Sequence, residues 1–105
     1  MKTYTFYETG SHGYLKVKRH ELRRLGIYNN ISEYSCEFQY LQPDNDYGRD
    51  TGEYITIVLL EQDCDLQLFI KAKKEVNEEF EMQTISRSAD WIERKGYFLE
   101  DLKNH

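Results

Sequence analysis

The chain of 105 residues contains one proline, two cysteines, two methionines and one tryptophan, and it has no long apolar run. Each shortage excludes something. A single proline, Pro43, rules out a Pro-rich adaptor or stiff linker. Two cysteines are too few for a disulfide framework, and neither Cys36 nor Cys64 belongs to a C-x-x-C pair. Both read as reduced, unpaired thiols of low reactivity. No apolar stretch approaches the roughly 18 residues of a membrane span, and no signal-peptide core follows Met1-Lys2-Thr3. The expectation is a cytoplasmic protein with no membrane association. The sequence has no glycine-rich phosphate cradle, nucleophile elbow, helical pair of metal-binding histidines or cysteine cluster, so it assigns no catalytic residue, metal site or cofactor.

What is present fits a globular protein. Hydrophobic content of 39% and charged content of 31% exclude the low-hydrophobicity composition of disordered chains. The length predicts one small domain over residues 1–105, large enough to bury a core without staples. Nine tyrosines and five phenylalanines favour pleated sheet.

Residues 3–7 (TYTFY) alternate and read as a strand, and a Gly-containing turn over 8–13 leads to a second strand over 14–17. Leu22 and Leu25 then share a helical face. Gly26 follows as a left-handed cap that lets Ile27 pack back on Leu22. Residues 34–41 put Tyr34, Cys36, Phe38 and Tyr40 on the inner side of a half-buried strand. Residues 42–52, with Pro43, three acidic residues and two glycines, read as a loop. The run EYITIVLL over 53–60 is apolar at nearly every position, as in an interior strand covered on both faces. A helix over 64–75 buries Leu66, Phe69 and Ile70, with Asp63 and Asp65 at its start and Lys71, Lys73 and Lys74 at its end. Another strand over 79–86 turns Phe80 and Met82 inward. In the tail, Ser88 caps a helix over 89–95, with an irregular strand ending at Phe98 as the alternative. Strand pairs of hairpin type outnumber crossovers in this order. The fold class predicted is α+β, a mostly antiparallel sheet of about four or five strands with two or three short helices.

Charge is unevenly placed. Residues 1–30 hold six basic residues against two acidic ones, a local +4, so with −5 overall the remainder carries −9. The cations Lys16, Lys18, Arg19, Arg23 and Arg24 could neutralise phosphates, or simply form a solvated helix face. The acidic remainder repels a nucleic-acid backbone. His12, between Ser11 and Gly13, is a candidate base or ligand, against the plainer reading of a turn histidine bonded to local backbone. The segment from Asp44 resembles a calcium loop only briefly, because its sixth and twelfth positions are Arg49 and Ile55. Cys64 lies between Asp63 and Asp65, which oppose thiolate formation, and reads as a small buried residue. Trp91 and the tyrosines could stack bases, but aromatics at strand alternation also build cores.

The best-fitting function is a non-enzymatic module that binds a protein partner through Asp44, Asp46, Tyr47, Asp50, Glu53 and Tyr54. A loop longer than a hairpin requires and interface-adapted tyrosines support it. Two alternatives stay open. One is a nucleic-acid-associated protein using the basic helix over 16–24; the other is a small ligand-binding protein or enzyme centred on His12. A homodimer is compatible with either.

Three stretches, GSHGYLKV, ELRRLGI with ISEYS, and LLEQDCDLQLF, share order and spacing with a wider pattern. They resemble a family of small uncharacterised proteins of phages, plasmids and related bacterial elements, whose motifs run roughly G-H-G-W/Y-L-x-V, E-L-x-x-L-G-I, I-S-x-Y-S and Y-L-E-E-D-C-D-A. The resemblance covers about residues 3–72. This chain departs from the pattern in having Gln62 within Glu61-Gln62-Asp63, Leu66 in place of a small residue, and a longer acidic segment between two strands. The resemblance implies a mobile-element accessory protein and assigns no activity.

Overall fold

A computed structural model of the chain describes residues 2–10, 12–44, 49–93 and 99–102. Strands β1 (Lys2–Glu8) and β2 (Gly13–Lys18) lead into helix α1 (Arg19–Arg24) and a 3₁₀ turn, Tyr28–Asn30. The hairpin of β3 (Cys36–Asp44) and β4 (Arg49–Glu61) follows, then helix α2 (Leu66–Glu75), strand β5 (Phe80–Ser86) and a second 3₁₀ turn, Trp91–Glu93. Residues 99–102 are helical. The five strands form one sheet in the order β3-β4-β2-β1-β5. The β1/β2, β2/β4 and β3/β4 pairs are antiparallel, whereas β1/β5 is parallel. That exception follows from the path. The chain leaves β4 through α2, passes β2 and β1, and returns at the far edge in the direction of β4, which is also that of β1. The fold is α+β, as the element order predicts.

The sheet is buried on both faces, and strand alternation assigns each side chain to one of them. Val58 and Leu60 of β4, Leu15 and Val17 of β2 and Tyr4 of β1 pack with Leu22, Leu66 and Phe69 from the helices. Ile57 and Leu59 of β4, Tyr7 and Tyr40 pack with Trp91 and Leu102 on the other side. Tyr7 stacks on Trp91 at 4.3 Å between ring centroids. The second face is fastened by Asp101, whose carboxylate accepts from both Arg87 Nε (2.7 Å) and Arg87 Nη2 (2.8 Å) and from the Trp91 indole (2.8 Å).

Helix α1 ends as its sequence requires. Gly26 has φ +75°, its N–H bonds to Arg23 O, and the Ile27 N–H reaches back to Leu22 O at 3.0 Å. Helix α2 closes the same way with Asn77 at φ 57°, the N–H groups of Asn77 and Glu78 bonding to Lys74 O and Lys73 O.

Several expectations need correction. The eleven-residue loop over 42–52 is mostly strand: Pro43 pairs with Asp50 and Asp44 with Arg49, after a register irregularity at 41–43. Tyr34 precedes β3 and is exposed, and Met82 is exposed on the edge strand β5. The expected helix over 89–95 is a 3₁₀ turn in its described part, and residues 94–98 lie outside the described residues. Cys64 is exposed rather than buried, while Cys36 is half-buried; both are free.

Candidate functional site

Three sequence motifs converge where β2 begins and β4 ends. The Gln62 N–H donates to Gly13 O at 2.8 Å, and a Cβ at Gly13 would collide with the Phe6 ring and lie 2.7 Å from Gln62 Oε1. A larger residue here would have to displace the Phe6 ring and the Gln62 side chain. Asp65 precedes α2 but its side chain does not cap the helix. Instead its carboxylate accepts from the Ser32 N–H, the Ser32 hydroxyl (2.7 Å) and the Ser35 hydroxyl, and Ser35 Oγ accepts the Glu61 N–H at 3.0 Å. The ISEYS and DCD segments are thereby fastened to each other.

His12 and Cys64 stand at this corner around Glu61, which is buried and accepts the Asp63 N–H at 2.8 Å. His12 Nδ1 is 3.7 Å from Glu61 Oε1, beyond hydrogen-bond distance, and its side chain is exposed. The Cys64 thiol is pushed up, first by desolvation and then by its hydrogen bond to Glu61 and the charges of Glu61, Asp65 and Asp63. A thiol raised in this way is not a thiolate nucleophile. The corner staples the fold. Among the described residues, no group of three or more His, Cys, Asp and Glu is placed to hold a metal ion.

A second cluster is absent from the sequence reading. Lys73 of α2, 3% exposed, donates to Glu21 Oε1 at 2.8 Å and Glu78 Oε1 at 2.9 Å. Glu21 also accepts from Tyr4 OH (2.5 Å) and Lys2 (3.1 Å), and Arg24 donates to both oxygens of Glu78. Lys2, Glu21, Arg24, Lys73 and Glu78 line a cleft of about 760 Å³ with His20, Asn77 and Glu79. Burial alone would raise the Glu21 carboxyl, but hydrogen bonds from Lys73, Tyr4 and Lys2 outweigh it and hold the group at about 2. Burial works to lower Lys73, and its bonds to Glu21 and Glu78 drive it upward instead. Tyr4 is pushed up to about 12, by burial and then by Glu21. All three are locked in one protonation state near neutrality, unlike a general acid or base, which must exchange its proton there. Lys2, Arg24 and Lys73 are matched by Glu21, Glu78 and Glu79, so the cleft is self-neutralised.

The third feature is a groove of about 300 Å³ where β2 turns into α1, lined by Lys18, Arg19, His20 and Arg23 on one side and Tyr54, Ile55 and Thr56 of β4 on the other. None of those lining residues is acidic. Tyr54 is 67% exposed. Arg19 reaches Glu37 only at 4.0 Å, and Glu37 also accepts the Tyr28 hydroxyl at 2.6 Å. The Arg23 guanidinium lies 5.1 Å from the centre of the Tyr28 ring.

The five basic candidates therefore do not form one helical patch. Lys16 and Lys18 belong to β2, not to a helix. Lys16 lies on the sheet face of the second core, the side Lys18 also takes by alternation, where it donates to the Leu102 carbonyl and lies 5.7 Å from the Tyr40 ring centre. Burial, reinforced by Lys18, lowers it to about 8. Arg24 is spent on Glu78 and Glu21. Lys18, Arg19 and Arg23 remain in the groove, and Tyr54, taken from the sequence as part of the acidic set, joins them. Asp44, Asp50 and Glu53 lie on the hairpin strands, while Asp46 and Tyr47 lie outside the described residues. The sequence places His20 on the basic helix without a partner or a role, and it does not show the meeting of Tyr54 with α1. The signal is the β2/β4 register, which sets Lys18 against Ile57 and so carries Tyr54 past the end of β2 toward the helix.

Comparison with protein-family models, curated proteins and solved structures finds no match to this chain. The class defined here is thus structural: an α+β domain with a mixed five-stranded sheet and a basic, tyrosine-flanked groove at one corner.

Proposed function

We propose that the chain is a non-enzymatic interaction module that binds a protein partner across the corner between α1 and the outer part of the β3/β4 hairpin. One observation carries this reading: an exposed tyrosine, Tyr54, stands beside the cations Lys18, Arg19 and Arg23 in a single groove. Tyrosine buries a large amphipathic ring with little loss of side-chain freedom, and tyrosine and arginine are enriched where partners meet. The acidic candidates Asp44, Asp50 and Glu53 belong to the strands of the same hairpin. The motif resemblance supports a mobile-element accessory role in the cytoplasm, with a host or defence factor as partner. The self-paired cleft supports a surface reading too, because Glu21 and Lys73 are held in their charged forms there.

A photo-crosslinking residue placed at position 54 tests the reading, with position 82 as the control, since Met82 is also exposed but lies on the far edge strand. Position 54 should capture one discrete protein from host extract that position 82 does not. Equal labelling from both positions, or none from 54, contradicts the proposal.

A further inference from the structure

We infer that the groove between α1 and β4 takes a short acidic segment of the partner protein, with its carboxylates pairing with Lys18, Arg19 and Arg23 and a neighbouring side chain packing on Tyr54. The inference rests on the interaction-module reading above and names the chemistry of its ligand. Two adjacent sites on the same helix make the contrast. In the cleft around Lys73, every lining cation meets a carboxylate of the chain itself, so that cleft has no charge left to offer. Among the described residues, the groove presents three cations and His20 with no acidic residue in its lining, and the carboxylate of Glu37 near Arg19 is at the 4.0 Å limit and shared with Tyr28. Unspent positive charge at a concave site attracts anions and raises their local concentration.

Size and surroundings select among anions. A volume of about 300 Å³ holds a few side chains and excludes a nucleic-acid duplex. A long polyanion would also have to cross a molecule whose residues beyond position 30 carry −9, whereas a short acidic segment ends before it meets that field. The guanidinium forks of Arg19 and Arg23 match carboxylates in planar, bidentate geometry, and the Tyr54 ring supplies the apolar contact that free anions lack.

The test is fluorescence anisotropy of a labelled hexaglutamate peptide with the full chain, alongside hexalysine and a short single-stranded DNA oligonucleotide. Hexaglutamate should bind and weaken steeply with added salt, and hexalysine should not bind. Arg23→Glu and Lys18→Glu, both at exposed positions, should each weaken binding roughly tenfold. Lys71→Glu, also exposed but on α2, changes net charge equally and should have little effect. Unchanged melting temperatures show that the variants remain folded, and Arg23→Gln gives the same answer should the reversal unfold the chain. Absence of hexaglutamate binding at low salt, equal loss in Lys71→Glu, or tighter binding of the oligonucleotide each overturns the inference. If position 54 still captures a protein when hexaglutamate fails, the interaction module stands and the acidic ligand alone falls.

Discussion

Lys73 and Lys16 are both drawn away from water, yet their surroundings push them in opposite directions. Lys73 answers two carboxylates and is driven further into its charged form, whereas Lys16 meets a carbonyl and an aromatic ring and is lowered to about 8. Replacing Lys73 with Met leaves Glu21 buried without its main partner and should cost about 3–5 kcal/mol in urea unfolding at neutral pH. Lys16→Met removes a charge that burial opposes and should not lower stability. Equal losses in the two variants would show that the environments differ less than their geometry indicates. Glu21 contributes to the acid limb. Its folded value of about 2 lies below the ordinary 4.5, so its stabilisation is fully present above pH 4.5 and is lost as pH falls toward 2. Glu21→Gln should be less stable than the parent at pH 7 and should lose part of that limb, since Glu78 is also lowered to about 2, by Arg24 and then Lys73. A parallel loss in parent and variant between pH 4.5 and 2 would assign the limb to other carboxylates.

Among the elements, α2 carries the most of the first core through Leu66, Phe69 and Ala72. Phe69 is fully buried and meets Tyr4 and Phe80 edge to face at 5.3 Å between centroids. Phe69→Ala should therefore cost about 3–5 kcal/mol, read as a fall in melting temperature of many degrees. The two informative glycines should differ. A Cβ at Gly26 meets nothing within 4 Å, so Gly26→Ala carries only the left-handed backbone penalty of about 1–2 kcal/mol. Gly13→Ala must displace the Phe6 ring and the Gln62 side chain, and with Phe6 packed on the first core it should cost more; the reverse order in thermal unfolding would contradict the close approach. What was legible in the sequence follows the same division. The Gly26 cap, the apolar face of α2 and the doubly buried β4 are local signals, set by residues a few positions apart. Tyr34 and Met82 were misread because alternation marks two sides of a strand without saying where the strand starts or whether it lies at an edge. The hairpin end was misread because Asp44 and Arg49 are held as strand by pairing, and their composition alone reads as loop. Neither buried charge cluster nor groove was visible, since Glu21 meets Lys73 and Lys18 approaches Tyr54 only once the sheet order is known.

At the scale of the molecule, the sheet divides the chain into two cores and fixes where charge can remain unspent. Helices α1 and α2 are locked together by Glu21, Lys73 and Glu78 on one side of α1, which leaves Lys18, Arg19 and Arg23 for the groove. Among the described residues, no helix is long and apolar enough to cross a membrane. An acidic protein that keeps one basic corner gains selectivity from that contrast, because the same field that draws a short acidic segment to the groove turns away extended polyanions. The most direct test is an amide chemical-shift map of the isotope-labelled full chain titrated with hexaglutamate. The account predicts saturable shifts concentrated over residues 18–23 and 54–56 that disappear as salt is raised. Shifts centred instead on His12 and residues 61–65, or spread evenly over the sheet, would contradict it.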